Sequence, residues 1–83
     1  MATLEEALSS LDPPIKHELN LAGDDASLLL YDPSIPAFAQ RRLIGSEIHN
    51  QSHFRMIVLY AVNELRLKGS HAELKVLPMW DSL

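Results

Sequence analysis

His49 and His53 stand four residues apart, with Glu47 just upstream, in a chain of 83 residues that holds four histidines. On an unbroken helix this spacing sets two imidazoles on one face, the arrangement used to hold zinc. Between them lie Asn50-Gln51-Ser52, residue types that start helices, and a break there would separate the two rings. No third ligand follows at a recognisable spacing. No metal site is therefore expected, and a His-based metal-binding protein ranks third among the functional readings. Asn50-Gln51-Ser52 also matches a glycosylation acceptor, but the N-terminal Met-Ala-Thr-Leu-Glu-Glu has neither the basic nor the apolar part of a secretory leader, so a capping role is expected.

Nucleophilic catalysis lacks its parts. The sequence has no cysteine and no Gly-x-Ser-x-Gly elbow, and its three glycines stand alone rather than forming a phosphate-binding loop. The adjacent acids Glu5-Glu6 and Asp24-Asp25 would diverge on a helix and read as caps or solvated charges. No enzyme, no cofactor and no small-molecule substrate is expected. Gln40-Arg41-Arg42 could touch phosphate, and with the helix that follows it permits a helix-turn-helix reading. The groove-reading helix would then have to carry Met56 to Val62, a run with no charge and no amide, which suits a DNA groove poorly. A small helical DNA-binding regulator is therefore the alternative reading, and the net charge of −4 argues against nucleic acid as the main ligand. The C-terminal Asp81-Ser82-Leu83 is a weak match to a segment captured by a carboxylate-binding pocket.

The surface most suited to recognition comes from spacing within residues 53–68. At 100° per residue, Phe54, Ile57, Val58, Ala61 and Leu65 fall on one face and Met56, Tyr60, Asn63 and Leu67 on another, with Arg55 and Arg66 between them. The first face reads as core. The second joins an adaptable methionine, a tyrosine of the kind enriched at interfaces and an amide ill-suited to a dry core. Met56, Tyr60, Asn63 and Leu67, rimmed by Arg55 and Arg66, are thus the candidate partner-binding residues, for another protein or for a second copy of the chain.

The helix that must position them has matching ends. Asn50 or Ser52 can cap its start, Glu64 precedes Lys68 by four residues, and Gly69 can end it. Around it the spacing predicts further short helices. Thr3-Leu-Glu-Glu6 is a capping box that starts a helix from Leu4 to about Leu11. Asp12-Pro13 starts another, with Ile15, Leu19 and Ala22 on one face, Leu21 off it, and Gly23 as its stop. Residues 26–31 read as a short buried helix or strand. Ser34 with Pro36 starts a helix towards Ile48, weakened by Gly45-Ser46, and Ser70 with Glu73 forms a second capping box that predicts a helix to about Leu77. Trp80 is expected to fold back over the core.

The expected fold is therefore all-α, a compact bundle of roughly five or six short helices around a central hydrophobic helix, in a single domain spanning residues 1–83. A small α+β domain is the alternative if 26–31, 54–62 and 73–77 are strands. The composition, 47% hydrophobic and 22% charged, is that of a soluble globule, and no apolar run approaches the ~20 residues of a membrane span. Net charge is −6 over residues 1–35 and +2 over 36–83, consistent with two halves that attract each other. The leading functional reading is a non-enzymatic protein–protein interaction module in the cytoplasm: a small adaptor, regulator or inhibitor that binds another protein or itself as a homodimer.

Overall fold

The computed structural model describes residues 2–12 and 14–81. In chain order it contains α1 (Leu4–Ser9), β1 (Lys16–Ala22), β2 (Asp25–Asp32), β3 (Ala37–Leu43), α2 (Gly45–His49) and α3 (Gln51–Leu67). The three strands form one antiparallel sheet in the order β1-β2-β3. The fold is thus α+β, and the all-α bundle expected from spacing is overturned. Pro13, the expected start of a second helix, lies outside the described residues, as do Ser82 and Leu83 of the C-terminal motif.

The physical reason for the correction lies in residues 16–43. His17, Leu19 and Leu21 alternate with Lys16, Glu18 and Asn20, so the Leu21 that a helix leaves off its face belongs with Leu19 on a strand. Gly23-Asp24 then forms a two-residue hairpin turn that pairs Ala22 with Asp25, and Gly23 has φ +62°, the left-handed backbone such a turn needs at its first central residue. The triple Leu28-Leu29-Leu30 is resolved by the same alternation. Ala26, Leu28, Leu30 and Asp32 are buried on the helix side, while Leu29 and Tyr31 look to the other face. On β3, Ala39 and Leu43 turn inward and Phe38, Gln40 and Arg42 outward. The expected helix from Ser34 to Ile48 is in fact β3 followed by α2, and the change falls at Gly45, where an added Cβ would sit 3.0 Å from the Asp24 carbonyl oxygen.

The central helix forms as expected, but its buried face takes in Val62, which the expected core face left out. Asn50 Oδ1 accepts from the His53 backbone N–H at 3.1 Å, and Phe54, Val58, Ala61, Val62 and Leu65 are buried. Ile57 is only partly buried against them. This face lies across the inner side of the sheet, beside Leu4, Ala7 and Leu8 of α1. Thr3 caps α1 through its Oγ1, which accepts from the Glu6 N–H at 3.2 Å.

After α3 the chain forms neither the helix nor the strand expected over 70–77. The hydroxyl of Ser70 explains why: it donates to Asp32 Oδ2 at 2.7 Å and accepts from the Ala72 N–H at 3.2 Å, so it does not cap a helix through Glu73. The segment instead runs back along α3. Gln51 Nε2 donates to the Trp80 carbonyl at 2.6 Å and Arg55 Nε to the Leu77 carbonyl at 2.8 Å. Ala72, Leu77 and Trp80 are buried, and Trp80 meets the Phe54 ring edge-on with centroids 5.3 Å apart. Among the described residues no helix is long and apolar enough to cross a membrane.

Candidate functional site

Helix α3 buries one face and exposes the opposite one. Met56 is 45% exposed, Tyr60 62% and Leu67 81%, and Asn63 in the same row is half-buried. These four positions point directly away from the sheet, since they lie about half a turn from the Phe54–Val58–Leu65 row. Neither the α1 side nor the C-terminal segment covers them. The Asn63 amide keeps contact with water, and no buried side-chain polar atom among the described residues lacks a partner.

The two arginines assigned to the rim differ. Arg55 is held against the C-terminal segment by the Leu77 carbonyl, with Nη1 3.2 Å from Met79 Sδ, so its guanidinium is committed to the fold. Arg66 is exposed, and among the described residues it makes no ion pair. Of the two, Arg66 is the cation open to a partner.

The two histidines fall on different helices, His49 at the end of α2 and His53 in the first turn of α3. Asn50, with φ −98° and ψ 96°, breaks the chain between α2 and α3. His53 Nε2 lies 3.2 Å from Glu47 Oε2, but His49 is not drawn in, and among the described residues no group of three His, Cys, Asp or Glu side chains is placed to hold a metal. The Gln40-Arg41-Arg42 cluster is likewise divided. Arg41 faces the helix side and donates through Nη2 to Glu64 Oε1 at 2.8 Å, while Arg42 is exposed on the far side of the sheet. The hydrogen bonds from Arg41 and Lys68 hold the Glu64 carboxyl below the usual carboxylate range.

Two features escaped the sequence reading. One is the Asp32 cluster. Its buried carboxylate accepts from Ser34 Oγ at 2.6 Å, from the Ser34 N–H at 2.9 Å and from Ser70 Oγ at 2.7 Å, and these bonds hold its pKa below the ordinary aspartate value. Serine, aspartate and a nearby histidine (His71) meet here, but both hydroxyls donate straight to the carboxylate. These bonds clamp the β2–β3 turn to the end of α3. Asp32-Pro33-Ser34 carried the signal, since an Asx side chain commonly bonds the backbone two residues on.

The other is a hollow of about 550 Å³ on the open face of the sheet, at the β2–β3 turn. Leu29, Tyr31, Ile35 and Phe38 line it, with Glu18 and Gln40 at its edge. Tyr31 and Phe38 are direct cross-strand neighbours, and Phe38 is 58% exposed. An all-helical reading scatters these residues, and only the strand register brings them together. Comparison of the chain with protein-family models, curated proteins and solved structures gives no match.

Proposed function

We propose that this chain is a non-enzymatic protein-interaction module that docks a partner protein on the outward face of α3, with Tyr60 at the centre and Arg66 at the rim. One observation carries the reading: Met56, Tyr60 and Leu67 form a single apolar row on a well-capped helix, and none of the three is buried by the described residues. Large apolar side chains grouped on a rigid element, edged by an exposed arginine, favour a partner with its own apolar stripe and an acidic residue beside it. The cysteine-free sequence fits the cytoplasm, which is the location proposed here.

The test is a photo-crosslinking amino acid at Tyr60, compared with the same group at exposed Glu6, in the cell that makes the protein. A discrete protein adduct from position 60 alone, weakened by Leu67→Ser, supports docking on this face. Equal or absent adducts at both positions overturn it.

A second reading rests on the hollow at the β2–β3 turn, whose size and apolar floor suit a small apolar ligand. Titration with an environment-sensitive apolar dye, for the unmodified chain and for Phe38→Ser, tests it. Equal binding by the two removes this reading.

A further inference from the structure

Strands β1 and β3 are the two edges of the sheet, and the chain finishes them differently. On β3, Lys68 Nζ donates to the Phe38 carbonyl at 3.3 Å and Arg41 Nη1 to the Gln40 carbonyl at 2.8 Å. Cations therefore sit on the carbonyls of that edge, a device that keeps other strands away. On β1 no described residue does the same. The two-residue turn makes Ala22 and Asp25 a hydrogen-bonded pair, and alternation along the ladder then turns the N–H and C=O groups of His17, Leu19 and Leu21 away from β2. Among the described residues, none of those backbone groups has a hydrogen-bond partner.

The side chains beside this edge are also incompletely covered. Glu5 of α1 reaches the His17 end, where its Oε2 lies 2.6 Å from His17 Nε2. Beyond it Leu19 is only half-buried and Leu21 is 56% exposed, although both face the helix side.

We propose that β1 pairs antiparallel with β1 of a second copy of this chain, about a two-fold axis at Leu19, to give one continuous six-stranded sheet. Leu19 is the midpoint of Lys16–Ala22, so this register pairs the strand along its whole length. It also matches the hydrogen bonding, because the outward groups of His17, Leu19 and Leu21 meet those of Leu21, Leu19 and His17 in the second copy. On the helix side Leu19 packs on its own equivalent, and Leu21 of each copy comes to lie beside the α1 end of the other. On the open face Glu18 stands opposite Asn20 and Lys16 opposite Ala22, with no like charges directly paired. A two-fold at Glu18 would set two carboxylates face to face. Registers about His17 or Asn20 would use only part of the strand, which begins at Lys16 because the Ile15 N–H is still bonded to the Leu11 carbonyl. The axis runs normal to the sheet, so the α3 helices of both copies lie on one side with their outward faces uncovered. This pairing does not depend on what α3 docks.

Sedimentation over a range of concentrations tests the pairing, together with single cysteines in a chain that has none of its own. The unmodified chain should form a dimer, and Leu21→Lys, which alters an exposed side chain and should keep the parent's far-UV circular dichroism, should be monomeric. Leu19→Cys should oxidise to a covalent dimer, because Cα atoms in a hydrogen-bonded antiparallel pair lie about 5.5 Å apart, within disulfide reach. Phe38→Cys, on the far side of the sheet, should not. A chain that stays monomeric at every concentration overturns the proposal and leaves the edge to peptide strands. A dimer that persists in Leu21→Lys, or that cross-links as readily at residue 38 as at residue 19, overturns it as well.

Discussion

Asp32 joins parts of the chain that are far apart in sequence, since one carboxylate holds its own turn through Ser34 and the end of α3 through Ser70. Its folded-state pKa lies below the ordinary value of 3.8, so the stability it contributes is fully present above that pH and is lost as the pH falls through the lowered value. Thermal melts from neutral pH down to about pH 2 should show the parent losing stability across this acid range. Asp32→Asn should melt lower at neutral pH and depend less steeply on acid. Glu64 adds an acid dependence of the same sign through Arg41 and Lys68, and the difference between parent and variant isolates Asp32. Equal acid dependence in the two would remove the clamp. Asn50 is a simpler case. Its side chain caps α3 at the His53 N–H, and Asn50→Ala should cost about 1 kcal/mol in denaturant unfolding.

Among the elements, α3 and α1 were legible in the sequence because their signals are local. Asn50 caps one, Thr3 the other, and apolar spacing agrees with both sets of caps. The strands were not, and the failure has a physical origin. In residues 15–22 the positions 15, 19 and 22 fit a helical face while 17, 19 and 21 fit a strand, so periodicity over eight residues does not separate them. What decides is the Gly23-Asp24 hairpin turn and the pairing of β1 with β2, and the pairing is a non-local interaction absent from either segment alone. The Ser70 capping box failed for a related reason, since Asp32, 38 residues away, takes its hydroxyl. The outward row of α3 was legible because helical spacing alone sets it opposite the core. The hollow at Tyr31 and Phe38 was not, because only the β2–β3 register makes those residues neighbours.

For the whole molecule, one layer of helices on one face of a three-stranded sheet leaves the other sheet face and the back of α3 open. The core is accordingly a single cluster shared by α1, the inner sheet face, α3 and the returning C-terminal segment. Truncation within it should be costly. Leu65→Ala should lose about 2–5 kcal/mol, whereas Ile57→Ala, at the partly buried margin, should fall at or below the lower end of that range. Denaturant unfolding of both variants checks this order, and equal losses would place Ile57 inside the core. The most direct measurement compares two faces of the same helix: thermal melts of Leu65→Ala and of Tyr60→Ala combined with Leu67→Ser, each carried alongside the photo-crosslinking assay, with the reactive group for the double variant moved to Asn63. The double variant should melt within a degree or two of the parent while its crosslinked adduct is lost, and Leu65→Ala should melt far below both. A double variant that melts as low as Leu65→Ala, or that keeps its adduct, would contradict the assignment of the outward face to a partner.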